Sequence, residues 1–149
     1  MKDKKVLPPT YLLVAIVLTL VLHFLLPVYK IVPVPWNLLG ILPLAGGIAL
    51  NLITDRAFHQ AQTTVKPFEE STALITTGVF RITRNPMYLG YLLILLGVAL
   101  IVRSVTPYAG ILVFAILMDR VFIRVEEQML GKQFGQAWRE YAQKVRRWV

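Results

Sequence analysis

Apolar residues run almost unbroken through four stretches of this chain, and each stretch is closed by proline, charge or a polar turn. The first extends from about Tyr11 to Tyr29 and the second from about Trp36 to Thr54. The third covers about 86–103 and the fourth about 107–124. Eighteen helical residues rise about 27 Å, close to the hydrocarbon thickness of a bilayer. The pattern predicts an all-α, polytopic membrane protein of one domain, residues 1–149. It has four transmembrane helices, a cytoplasmic loop and a C-terminal amphipathic helix.

Local signals place the ends of these elements. Pro33 and Pro35 shape a short turn between the first two spans, and Gly46-Gly47 permits close helix packing inside the second. Asn85 is suited to cap the third helix and Pro86 to its first position, where no N–H is needed. Thr106-Pro107 repeats that signal, and the fourth helix can continue to near Leu130. The connection from Asp55 to Asn85 is long enough to be functional, and its apolar residues predict that it folds against the helices. Gly78 is placed to turn the chain within it. Phe134, Trp138, Tyr141, Val145 and Trp148 recur at spacings of 4, 3, 4 and 3, one face of a helix. That face can anchor the tail on the membrane surface or close it as a lid over polar residues.

Composition agrees with the pattern: 56% of residues are hydrophobic and the mean hydropathy is +0.62. The first stretch exceeds a signal-peptide core and has no small-residue cleavage site, so it is expected to be retained. Cysteine is absent, which excludes disulfides and thiolate chemistry. His23 and His59 lack metal-ligand spacing, and no metal is expected. His23 is expected to be packed and hydrogen-bonded.

A net charge of +8 first suggests nucleic acid, but its distribution does not. With four spans, 14 of the 16 basic residues fall on one side, leaving Lys30 and Arg103 on the other. That asymmetry predicts both termini in the cytoplasm and a basic face toward anionic lipid headgroups.

Two polar clusters then lie on the same face. At the third helix start, backbone N–H groups and the helix dipole favour a carboxylate or phosphate, with Arg81 and Arg84 adjacent. Gly90, one turn in, leaves room for a flat group, and Tyr88 can stack or hydrogen-bond. The pair Glu126-Glu127 can accept hydrogen bonds from ribose hydroxyls or attract an ammonium or sulfonium. A ligand with carboxylate, amine, sulfonium and ribose satisfies both clusters, and S-adenosylmethionine has all four. The plainer alternative is a helix cap beside a snorkelling arginine, with the glutamates paired to Arg120, Arg124 or Lys132. Asp119 is expected to pair with Arg120 or Arg124.

The run Thr77-Gly78-Val79-Phe80-Arg81-Ile82-Thr83-Arg84-Asn85-Pro86-Met87-Tyr88-Leu89-Gly90 resembles the core motif of the isoprenylcysteine carboxyl methyltransferase and phospholipid methyltransferase group. Glu126-Glu127 with Leu130, Phe134-Gly135, Trp138, Tyr141 and Arg146 resembles that group's C-terminal motif. The resemblance implies an integral membrane enzyme that uses S-adenosylmethionine without the soluble Rossmann fold. It implies cofactor regions near 77–90 and 126–146, with Gly78, Val79, Arg84, Asn85, Pro86, Tyr88, Leu89, Gly90, Glu126 and Glu127 as cofactor-binding residues. Many members have histidine where this chain has Asn85; asparagine can hydrogen-bond but cannot carry charge or shuttle a proton. The chain is shorter than the eukaryotic prenylcysteine enzymes, so their prenylated-protein substrate is not carried over.

The expected chemistry is methyl transfer to a carboxylate, amine or thiol on a lipophilic acceptor at the cytoplasmic membrane interface. Arg146 is the candidate to orient an anionic acceptor, and Glu127 to serve an amine. Two alternatives are an NADPH-dependent reductase related to sterol reductases and a small four-helix multidrug transporter. The transporter reading lacks the early intramembrane carboxylate such proteins use, since no acid occurs between residues 4 and 54.

Overall fold

Proline opens three of the helices at positions where its missing N–H costs nothing. The computed structural model describes residues 7–25 and 29–149. Helix α1 spans Pro8–Leu25. A 3-10 turn at Trp36–Gly40 runs directly into α2, Ile41–Gln60. Helix α3 is Pro86–Val102 and α4 is Thr106–Met118. One turn of π-helix, Asp119–Ile123, joins α4 to α5, Arg124–Lys144. The described residues form no strand beyond a single bridge between Lys30 and Ser104. The end of the first expected span, residues 26–28, and the lysines at positions 2, 4 and 5 lie outside the described residues.

Among the described residues, two helices have the length and apolarity to cross a membrane, Pro8–Leu25 and Trp36–Gln60. Helix α3 is apolar throughout its 17 residues. Outward-facing side chains on several helices are large and bare: Phe24, Leu42 and Leu112 are 78%, 69% and 67% exposed. Such surface suits lipid contact.

Helices α2 and α3 run antiparallel with their backbones in close approach. Gly40 faces Gly97, and Gly47 faces Gly90, a seven-residue register on both helices. A Cβ on Gly90 would stand 2.9 Å from the Gly47 carbonyl oxygen, and one on Gly97 would stand 2.7 Å from that of Gly40. The space expected beside Gly90 for a flat ligand is therefore taken by α2, including the Asn51 side chain. Of the expected Gly46-Gly47 pair only Gly47 packs; Gly46 has nothing within 4 Å. This seam sets the start of α3 beside the C-terminal half of α2.

The long connection folds back as expected. Gly78 turns it at φ +61°, a conformation that favours glycine, and opens the 3-10 turn Gly78–Arg81. The tail departs from a single amphipathic helix. Gly135 breaks the helical geometry at φ +50°, and the helix ends at Lys144, after which Val145 is extended. Phe134, Trp138, Tyr141 and Val145 pack with Phe80 rather than facing outward. His23 also differs from expectation, since its buried Nδ1 has no hydrogen-bond partner among the described residues. His59 lies in the last turn of α2, 3.5 Å from Asp55.

The two adjacent glycines supply a paired test. Gly47→Ala forces α2 and α3 apart and should cost about 1–3 kcal/mol, the usual range for overpacking. Gly46→Ala meets open space and should gain up to about 1 kcal/mol from reduced backbone entropy. Thermal unfolding in detergent micelles should separate the pair, Gly47→Ala below wild type and Gly46→Ala at or above it.

Candidate active site

Four chain-distant segments converge at the start of α3. Glu127, on the first turn of α5, accepts from Arg147 at 3.1 Å and 2.6 Å and pairs with Arg84 at 3.3 Å. Arg147 also donates to Asp119 at 3.0 Å, and Arg124 reaches the same carboxylate at 2.9 Å. Asp119 thus makes the expected pairing with Arg124, and its contact with Arg120 is longer, at 4.0 Å. The Arg84 guanidinium lies over the Trp138 ring, 5.6 Å from its centroid, an arrangement that favours the cation.

The π turn decides which glutamate joins this cluster. In an uninterrupted α-helix Glu126, seven residues after Asp119, would share its face. One inserted residue turns the start of α5 back by roughly 100°. Glu127 therefore lines up with Asp119, and Arg147 bridges both. Glu126 is sent the other way and accepts a 2.6 Å hydrogen bond from the Tyr88 hydroxyl. Burial pushes the Glu126 pKa above the ordinary glutamate value; the Tyr88 hydrogen bond pulls it back down, and the neighbouring Glu127 charge adds to the rise.

The C-terminal segment is stitched to the motif through its backbone. Arg84 N–H donates to the Arg146 carbonyl, and Thr83 Oγ and Asn85 Nδ2 both donate to the Arg147 carbonyl, each at 3.0 Å. Asn85 is thus not the expected side-chain cap. It makes no cap bond to α3, and its amide is committed to the tail. Tyr141 adds a 2.7 Å bond to the Phe80 carbonyl.

Two cavities adjoin here. The first, about 790 Å³ including its open mouth, lies between loop 64–75 and α5 and includes Arg84, Asn85, Glu126, Glu127, Trp138 and Tyr141 in its lining. The second, about 660 Å³ with its open mouth likewise included, lies between α1, the end of α2 and the start of α3, with Pro8, Phe58, Pro86, Met87, Tyr88 and Tyr91 on its walls. Arg84, Asn85 and Glu126 line both.

Of the residues expected to bind cofactor, Arg84, Asn85, Pro86, Tyr88, Glu126 and Glu127 come together at these cavities. Gly78, Val79, Leu89 and Gly90 line neither. Arg146 is exposed and offers the site only its carbonyl, whereas Arg147 enters with its side chain. The residue that sequence reasoning missed is Arg147. In an extended segment neighbours point to opposite sides, and an assumed helix hides that alternation.

Removing the Arg147 charge strips partners from two carboxylates. Arg147→Met should destabilise the protein by about 1–3 kcal/mol, below the fully buried range because the side chain is one-third exposed. Arg146→Met should stay within about 0.5 kcal/mol of wild type, as surface changes usually do. Equilibrium unfolding of both variants in detergent measures the contrast.

Three comparisons with known proteins bear on the chain: its sequence relatives, its fold and its family. A 63-residue stretch is 40% identical to an uncharacterized protein of Haemophilus influenzae, covering 42% of this chain and 100% of that one. Protein-S-isoprenylcysteine O-methyltransferase B of Arabidopsis thaliana is 38% identical over 80 residues, 52% of this chain and 39% of the relative. The solved eukaryotic intramembrane Ras methyltransferase, isoprenylcysteine carboxyl methyltransferase, superposes with a TM-score of 0.70 at 23% identity. That match covers 94% of this chain and 51% of the solved one, and it shows a shared fold. The phospholipid methyltransferase family model matches residues 36–137, from the 3-10 turn before α2 to the residue before Trp138; the chain belongs to the phospholipid methyltransferase family.

Proposed function

We propose that this protein transfers a methyl group from S-adenosylmethionine to a lipophilic acceptor at the cytoplasmic face of a membrane. The observation that carries the reading is the pair of cavities sharing Arg84, Asn85 and Glu126. One is the more polar and opens along the loop and α5; the other is walled by proline, methionine and aromatic side chains beside the lipid-facing helices. A two-substrate reaction between a water-soluble donor and a membrane-soluble acceptor needs such a meeting point, where holding the two in line supplies much of the acceleration.

The residues present fit the cofactor. Arg84 lines both cavities, and its buried Nε–H has no partner among the described residues. It is suited to a ligand carboxylate. Glu127 offers charge-assisted acceptors, and Trp138 an aromatic wall. When bound, the cofactor supplies an electrophilic methyl group on a sulfonium. The chain's own work is to hold donor and acceptor and to exclude water through the packing of Phe80, Trp138 and Tyr141. Four spans, with α3 and α4 completing a set begun by α1 and α2, put both termini and the site on the positive, cytoplasmic side.

Calorimetric titration of purified protein with S-adenosylmethionine should give saturable binding. Glu127→Gln should weaken it roughly 10- to 150-fold, the equivalent of a lost charge-assisted hydrogen bond. NADPH should leave the melting temperature unchanged. Heat from NADPH and none from S-adenosylmethionine would return the reductase reading. The native chain has no cysteine, so single cysteines report topology cleanly. One at Gln62 should be shielded from an impermeant thiol reagent in intact cells, and one at Lys30 should be labelled.

A further inference from the structure

The polar side chains in the more apolar cavity are mostly committed elsewhere. Thr54 Oγ donates to the Leu50 carbonyl at 2.7 Å, and the Tyr88 hydroxyl donates to Glu126. The Asn85 amide holds the tail, Lys66 pairs with Glu69, and Arg84 pairs with Glu127. Tyr91 differs. It is 6% exposed, lines this cavity and not the other, and its hydroxyl makes no hydrogen bond among the described residues. Nor is that oxygen sealed in packing, as His23 Nδ1 is; its open side is the cavity. A helical threonine can turn its hydroxyl onto its own backbone, as Thr54 does, but a tyrosine hydroxyl stands too far out. In an apolar wall, such a donor is costly unless a ligand brings it a partner.

Tyr91 follows Tyr88 by three residues on the same face of α3, their rings edge to face with centroids 6.1 Å apart. Three residues rise about 4.5 Å along the helix axis. Tyr88 marks the junction of the cavities through its bond to Glu126, which lines both. Tyr91 is therefore set nearly one turn deeper into the membrane. We propose that its hydroxyl donates a hydrogen bond to an uncharged oxygen of the methyl acceptor, nearly one helical turn deeper than the atom that receives the methyl. An ester, ketone, ether or hydroxyl oxygen on a hydrocarbon body meets that description. An ionised group is disfavoured at that depth, where Pro8, Phe58, Pro86 and Met87 form the wall. A hydrocarbon with no oxygen leaves the donor unpaired, and a site that holds a hydrogen-bonding group for its ligand rejects the analogue lacking the partner. The inference deepens the methyltransferase reading, on which it rests for the ligand's being the acceptor. The step it describes is binding, with no proton or bond exchanged.

The test uses the full chain in detergent micelles with two radiolabelled probes, methyl oleate and octadecene, hydrocarbons of like length with and without an ester. Equilibrium binding is measured on wild type and Tyr91→Phe. Wild type should favour methyl oleate over octadecene about 3- to 10-fold more than the variant does, the equivalent of one neutral hydrogen bond. Comparing the two proteins cancels the probes' different solubility in the micelle. The infrared ester carbonyl band of bound methyl oleate should lie at lower frequency in wild type than in Tyr91→Phe. Replacing tyrosine with fluorotyrosine, a stronger donor, should lower it further. Should Tyr91→Phe fail to fold, the fluorotyrosine shift decides alone. Affinity for S-adenosylmethionine by calorimetry should agree between the two proteins within about threefold, because Tyr91 lines only the second cavity. No saturable binding of methyl oleate, an equal preference in both proteins, a carbonyl band that neither change moves, or a loss of more than about tenfold in S-adenosylmethionine affinity overturns the assignment. Wild type that binds methyl oleate as expected and no S-adenosylmethionine overturns the underlying methyltransferase reading instead.

Discussion

The closure of Arg84 and Arg147 on Glu127 holds the site together. Glu127 and Arg84 are each only 14% exposed at the side chain, so neither charge could remain there alone at a tolerable cost. Their pairing ties the segment before α3 to the first turn of α5. Arg147 extends the tie to the tail and, through Asp119, to the end of α4. Breaking one member leaves another uncompensated, which makes the cluster a specification of geometry as much as a source of stability. The tail's backbone bonds to Thr83, Arg84 and Asn85 depend on the same placement.

A second constraint is the glycine register between α2 and α3. Because Gly47 and Gly90 leave no side-chain volume between them, the α3 start is held against the segment of α2 that carries Thr54 and Phe58. Those two residues help wall the more apolar cavity, while Phe58 also lines the other. A motif residue with no evident place at the ligand thus shapes the site from behind. Gly90 acts through helix spacing, and the cavity inherits the result.

Much of the scaffold was legible in the sequence because it rests on local chemistry. Long apolar runs, Pro86 and Pro107 at helix starts and a left-handed glycine at position 78 each follow from one residue's own preferences. The aromatic face of the tail was legible as periodicity, although what covers it was not, since the anchor and lid readings share that pattern. The site depended on long-range packing. Nothing in the residues 119–123 announces a π turn, yet that turn separates the roles of two neighbouring glutamates. The choice between Arg146 and Arg147 likewise needed the extended geometry after Lys144.

Asn85 shows what the site requires of the position between Arg84 and Pro86. Its side chain gives one N–H to the Arg147 carbonyl, a bond that an imidazole N–H can also make. Asparagine therefore keeps the tail in place while removing a group that titrates near neutral pH. The remaining acids and bases at the junction divide sharply. Arg84 and Arg147 close on Glu127, which is spent on those ion pairs. Glu126 stands apart: burial raises its pKa, and its hydrogen-bond partner among the described residues is the neutral Tyr88 hydroxyl. Asn85 and Glu126 thus mark two ways of keeping charge out of the cluster: the first cannot titrate, and the π turn directs the second away from the arginines.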